Sequence, residues 1–100
     1  MPFNDKTDHN FDQQTVDRVR VVGGVYGLAR PAFLRPGWYD VLYVGKTGNL
    51  RERLQFWLNN PPVAGITHFF ADVVTNAAER DRVETLLIAE FKSVGNTLLK

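Results

Sequence analysis

Two tripeptides, Gly24-Val25-Tyr26 and Tyr43-Val44-Gly45, and the run Gly45-Lys46-Thr47 have residue types and spacings that could do chemistry. The last of these follows a strand-like segment, as a phosphate-wrapping nucleotide loop would. That loop needs a glycine five residues before the Gly-Lys pair, so that backbone N–H groups can surround phosphates. Position 40 is Asp40 and residues 41–44 are apolar strand residues, so the nucleotide-loop reading fails. Thiol and zinc-ribbon chemistry is excluded, because the chain has no cysteine. His9 and His68 are too few for a zinc site unless carboxylates supply the remaining ligands. Residues 26–58 carry Arg30, Arg35, Lys46, Arg51 and Arg53 against only Asp40 and Glu52, although the whole chain has a net charge of +1. Such an excess could meet a phosphate backbone or simply lie on a solvated surface.

These residues need elements to position them. Hydrophobic residues make up 44% of the 100 and charged residues 23%, close to globular averages, which predicts one folded domain with one modest core. Residues 1–14 are nearly all polar and read as a flexible tail, leaving 15–100 as the domain. Thr15–Val22 is ambiguous: Asp12 could cap a short helix, yet Arg18-Val19-Arg20-Val21 alternates like a strand. Gly24–Ala29 reads as a strand, and Pro31, Pro36 and Gly37 mark 30–37 as a loop. Tyr39–Val44 is rich in aromatic and β-branched residues and predicts a second strand, antiparallel to the first. Gly48-Asn49 opens a helix carrying Leu50, Leu54, Trp57 and Leu58 on one face, which stops at Asn59-Asn60-Pro61-Pro62. Thr67–Thr75 predicts a third strand, with Phe69, Ala71 and Val73 on one face. Asn76 is a candidate N-cap for a helix from Ala77 to Lys92, with Val83, Leu86, Leu87 and Phe91 as its apolar stripe. The expected class is α+β: a small three-stranded, largely antiparallel sheet flanked by helices. No stretch approaches the roughly 20 apolar residues of a spanning helix, so a cytoplasmic protein with no membrane partner is expected.

Read together on adjacent strands, Gly24-Val25-Tyr26 and Tyr43-Val44-Gly45 resemble the signature of the GIY-YIG endonuclease superfamily. The resemblance continues in order through Lys46-Thr47-Gly48-Asn49-Leu50-Arg51-Glu52-Arg53-Leu54, similar to the family's glycine turn and arginine helix. Glu84-Thr85-Leu86-Leu87-Ile88 is similar to its Glu-x-x-Leu-Ile, and Asn96 falls twelve residues beyond Glu84, where the family has its closing asparagine. Taken singly, each residue has an ordinary structural role: strand tyrosines, a solvated helix glutamate, a surface arginine, a capping asparagine. Those ordinary roles do not explain the shared order and spacing over residues 23–99.

The resemblance implies a divalent-metal-dependent endonuclease that hydrolyses DNA phosphodiesters around one Mg²⁺ or Mn²⁺. Tyr26, Tyr43, Arg53 and Glu84 are its catalytic candidates, with Glu84 as metal ligand and Gly24, Gly45, Lys46 and Asn96 in support. The chemistry suits the residue types. Glu84 offers a hard oxygen, and phosphate and waters can complete a magnesium octahedron. Arg53 offers a permanently charged donor fork for a developing oxyanion. Tyr26 inherits the role of general base and Tyr43 a supporting one. An unperturbed tyrosine near pKa ~10 is only about 0.1% phenolate at pH 7, so nearby positive charge from Lys46, Arg53 and the metal is needed.

Departures from the family pattern are also legible. Trp57 stands where relatives often carry tyrosine or histidine; its indole donates and cannot act as a base, so it either packs under Arg53 or stacks on a nucleobase. Ser93 replaces a usual proline. Sixteen residues separate Tyr26 from Tyr43, and the extra loop brings Arg30, Arg35 and Trp38. Arg30, Arg35, Arg51 and Trp57 are the candidate nucleic-acid contacts, and His68 has no firm counterpart. The alternative functions are a binding module of the same fold that no longer cuts, engaging nucleic acid or protein, and a nuclease acting on RNA. The expected settings are a small stand-alone member, a module excised from a chain with an additional domain, or a protein delivered to DNA by a partner protein.

Overall fold

The computed structural model describes residues 9–32 and 39–91. Seven elements follow in order: β1 (His9–Asn10), α1 (Gln13–Val16), β2 (Gly24–Pro31), β3 (Tyr39–Thr47), α2 (Leu50–Asn59), β4 (His68–Val73) and α3 (Ala77–Phe91). The sheet order is β1-β4-β2-β3, and every pairing is antiparallel. The three long strands and their flanking helices are those the sequence predicts. The two-residue β1 adds a short fourth strand on the β4 side.

That strand corrects the assignment of residues 9–14 to a tail. His9 and Asn10 pair with Phe69 and His68, and the Phe11 ring meets Phe69 edge-on at 6.1 Å. The β4 edge supplies hydrogen-bonding partners that a polar segment can use without an apolar pattern of its own. Asp12 then accepts a hydrogen bond from the Thr15 N–H at 2.8 Å, which caps α1 and holds its carboxyl below the ordinary value. The Thr15–Val22 ambiguity resolves as a single helical turn ending at Val16, after which the chain turns toward β2.

β2 is buried from Gly24 through Ala29 because it has strands on both edges and packing on both faces. On one face Val16, Tyr26, Leu28, Leu50, Leu54 and Phe69 form the larger core under α1 and α2. On the other, Val25, Val44 and Leu87 form a smaller core under α3. Gly24 is required by the first packing: a Cβ there would collide with the Asp72 carbonyl and approach Leu50 Cδ1 to 2.8 Å.

β2 and β3 both outrun their predicted ends. β2 continues through Pro31, and β3 continues past Gly45 to Thr47, paired to Gly24. The partner strand supplies this extension where local propensity would stop. A register shift follows Leu28: Leu28 pairs with Tyr43 but Ala29 with Val41, leaving Leu42 as the extra residue. The bulge puts Val41 with the α3-side core while Tyr43, two residues on, packs on the α2 side.

Asn49 caps α2 by accepting from the Glu52 N–H at 3.1 Å, and Asn76 does the same for Glu79 at 2.9 Å. The α2 stripe packs as its periodicity predicts. In α3, however, Leu86 is 57% exposed, and Val83 and Ile88 join Leu87 against the sheet. The C-terminal residues from 92, including Ser93 and Asn96, lie outside the described residues, as do 1–8 and 33–38.

Candidate active site

Tyr26 is the third residue of β2, directly opposite Gly45 on β3. A Cβ at position 45 would run into the phenol ring of Tyr26, so glycine here leaves the space that the ring occupies. The Tyr26 side chain is 1% exposed. Its hydroxyl keeps a polar partner despite this burial, accepting a hydrogen bond from the Trp57 indole N–H at 2.6 Å. Burial pushes its pKa well up; the Trp57 hydrogen bond and the Arg53 charge only partly oppose this.

Tyr43 lies beside it, with ring centroids 6.2 Å apart, and meets Trp57 edge-on at 5.4 Å. This ring is half-buried. Burial raises its pKa and the Glu84 charge adds to that, while the Arg53 charge and hydrogen bonding with the Tyr26 hydroxyl lower it. Arg53 rises from α2 one turn before Trp57, exposed, with its guanidinium carbon 5.6 Å from the centre of the Phe56 ring. Phe56, in turn, packs edge-on against Trp57 at 4.9 Å.

Glu84 reaches the site from α3. β3 is the edge strand, so the α2 and α3 sides of the sheet meet around it. The Glu84 charge is felt by both tyrosines. Lys46, on the α3 side of β3, pairs with Asp81 and lies 3.8 Å from Glu84. Asp81 precedes Glu84 by three residues, one turn along the helix; sequence inspection missed it because a lone helix aspartate has no distinguishing spacing. The Asp81 hydrogen bond raises the Lys46 pKa and keeps its ammonium charged. Lys46 is thus engaged with α3, while the charge of Arg53 acts on both tyrosines.

Among the described residues, no three acidic or histidine side chains gather as a metal-binding group. A cation here would take Glu84 as protein ligand, with phosphate and water completing its shell. The electrostatics fit. Burial raises the Glu84 pKa, Asp81 raises it further, and Lys46 opposes both without cancelling them, so the ionised carboxylate still gains from added positive charge.

The remaining candidates do not all converge. Arg51 donates from Nε to the Val19 carbonyl at 2.7 Å, tying α2 to the segment after α1, which accounts for it structurally. Arg30 pairs across the strands with Asp40, 3.9 Å away, at the end of β2 far from Tyr26. His68, at the same end, meets the Tyr39 ring at 5.0 Å and has its Nδ1 2.7 Å from the Thr67 hydroxyl. Trp57 neither packs under Arg53 alone nor stands free, but holds Tyr26. Arg35, Trp38 and Asn96 lie outside the described residues. Arg80 was also unforeseen: its guanidinium donates to the Val74 and Thr75 carbonyls, both at 3.0 Å, and occupies the space a Cβ on Gly23 would need.

No family model matches the chain, and no curated protein matches it. Solved structures do. The N-terminal GIY-YIG endonuclease domain of UvrC from Thermotoga maritima, bound to its catalytic divalent cation magnesium, aligns with a TM-score of 0.65 at 21% identity, covering 82% of this chain and 91% of that one. Two point mutants of the same domain, each bound to the catalytic divalent cation, align with TM-scores of 0.65 and 0.64, both at 21% identity, covering 82% of this chain and 90% of each domain. The chain therefore has the fold of the GIY-YIG endonuclease domain.

Proposed function

We propose that this chain is a divalent-metal-dependent endonuclease that hydrolyses DNA phosphodiester bonds. One observation carries the reading: Tyr26 and Tyr43 lie side by side on β2 and β3, with ring centroids 6.2 Å apart, and the charges of Arg53 from α2 and Glu84 from α3 both act on them. A phosphodiester resists attack because its anionic oxygens repel a nucleophile, so hydrolysis needs charge neutralisation, an activated water and a supported oxyanion. A bound Mg²⁺ or Mn²⁺ supplies positive charge against the phosphate and acidifies water. Glu84 would hold such an ion, and Arg53 donates N–H groups to the phosphoryl oxygens as charge builds on them.

The burial of Tyr26 moves the proposed base from Tyr26 to Tyr43. Tyr26 is enclosed and its hydroxyl is engaged by Trp57, whereas Tyr43 is only half-buried. Acting as its phenolate, Tyr43 takes the proton of the attacking water and becomes the neutral phenol, and Tyr26 orients it. The same site would serve RNA, and a partner protein or a further domain would supply targeting.

The experiment is nicking of supercoiled plasmid, and of a labelled RNA hairpin, with Mg²⁺ or Mn²⁺ and an EDTA control. Wild type is compared with Tyr43→Phe, Arg53→Ala and Glu84→Gln. Metal-dependent nicking lost in all three variants supports the reading; activity surviving Glu84→Gln refutes the site. A second reading, a module of this fold that binds without cutting, is favoured by Trp57 and by Lys46 near Glu84. Retarded DNA migration with no cleavage at any metal concentration would support it instead.

A further inference from the structure

We infer that Trp57 is a positioning residue: its indole N–H, donated to the buried Tyr26 hydroxyl, turns the Tyr26 proton toward Tyr43 and so prepares the Tyr43 oxygen for its task. The inference rests on the nuclease reading above. Its geometry is specific to this chain. The Trp57 nitrogen lies 2.6 Å from the Tyr26 hydroxyl oxygen, and its ring packs edge-on against Tyr43. An indole can only donate, so the Tyr26 oxygen must accept. A tyrosine or histidine at this position could donate or accept, and would leave the direction of the Tyr26 proton open. With its oxygen engaged by Trp57 and its ring seated on Gly45, Tyr26 lies beside Tyr43, the two ring centroids 6.2 Å apart. The lowering of the Tyr43 pKa by hydrogen bonding with Tyr26 agrees with this direction. The charged groups acting on the pair are Arg53 from α2 and Glu84 from α3, neither of which touches the Trp57 nitrogen.

The test has two parts, both on the whole chain. In ¹H–¹⁵N spectra the two indole N–H signals, from Trp38 and Trp57, are assigned with Trp38→Phe. Tyr26→Phe keeps the ring and removes the acceptor, and is expected to move the Trp57 signal upfield and speed its exchange with solvent. An unmoved signal overturns the inference whether or not the protein cuts DNA. In plasmid nicking, Trp57→Phe is expected to lower kcat about tenfold at unchanged KM, the worth of one hydrogen bond to a group gaining charge. Its pH–rate profile is expected to rise at higher pH than wild type. Leu58→Ala, a packing change on the same helix, is expected to lower stability and leave the profile in place. Wild-type cutting with an unshifted Trp57→Phe profile overturns the inference and leaves the nuclease standing. A wild type that cuts nothing overturns both, with the indole signal still deciding whether the bond exists.

Discussion

Gly45→Ala gives a direct measure of how tightly Tyr26 is held. The backbone at Gly45 is ordinary strand, so the substitution acts through space alone. A methyl group there overlaps the Tyr26 ring, which is 1% exposed and bounded by Tyr43 and Trp57. The ring has to move. Forcing a methyl into a packed core costs about 1–3 kcal/mol. Displacing the hydroxyl from the Trp57 N–H adds about 0.5–1.5 kcal/mol. The sum, about 1.5–4.5 kcal/mol, is a large share of the stability of a domain of this size, and corresponds to at least about 6 °C in Tm. Urea unfolding followed by tryptophan fluorescence measures it. Gly48→Ala is the control: nothing lies within 4 Å of the added atom, so it should be neutral within about 0.5 kcal/mol or slightly stabilising. If the overlap with Tyr26 is the cause, Gly45→Ala should cost much less in a Tyr26→Ala background, a coupling of at least about 1 kcal/mol. Equal costs of Gly45→Ala in the two backgrounds, or a single-variant cost below about 0.5 kcal/mol, would refute the reasoning.

Arg53→Ala should leave stability within about 0.5 kcal/mol, since the side chain is exposed, yet reduce nicking by about 100-fold, and Arg53→Lys should not restore it; urea midpoints and kcat together check this. Arg51→Ala should do the reverse, losing about 0.5–1.5 kcal/mol with its hydrogen bond to Val19 while leaving the salt dependence of DNA binding unchanged. Because burial raises the Glu84 pKa, its ionised form opposes folding, so that contribution to stability is intact below the unfolded value near 4.5 and is lost as pH rises through the raised folded value. In EDTA, Glu84→Gln should therefore melt above wild type at pH 7 and converge with it toward pH 4. Saturating Mg²⁺ at about 100 times its Kd should raise wild-type stability by about 2.7 kcal/mol and leave Glu84→Gln unmoved; an equal Mg²⁺ shift in both would remove Glu84 from the metal site.

Local chemistry made much of the fold readable from the sequence. Asn49 and Asn76 cap helices because a short side-chain oxygen reaches an orphan N–H two or three residues on, a relation that needs no tertiary partner. The strand character of Tyr39–Val44 and the stripe of α2 are likewise periodicities that one face of a core imposes. The order of elements, and with it the GIY-YIG fold, was therefore written in the chain. What propensity could not show was set by neighbours distant in sequence. β1 exists because the β4 edge offers hydrogen bonds to a polar segment, and β3 runs on to Thr47 because β2 pairs with it.

Much of the candidate site belongs to that second kind. Tyr26, Tyr43, Arg53 and Glu84 are visible as a spaced set in the sequence, but their environments are not. Strict alternation would put Val41 and Tyr43 on one face; the bulge at Leu42 separates them and turns Tyr43 toward α2. Tyr26 and Tyr43 are both tyrosines on paired strands, and only the packing of α2 buries one and leaves the other half open. Arg51 and Arg53 are equal cations two residues apart, yet helical geometry sends one to the Val19 carbonyl and the other to the Phe56 ring. The sequence determined which groups are present and in what order. The tertiary structure decided which are desolvated, which are paired and which remain open to a ligand, because burial and Coulomb interactions depend on distances in space that sequence separation does not encode.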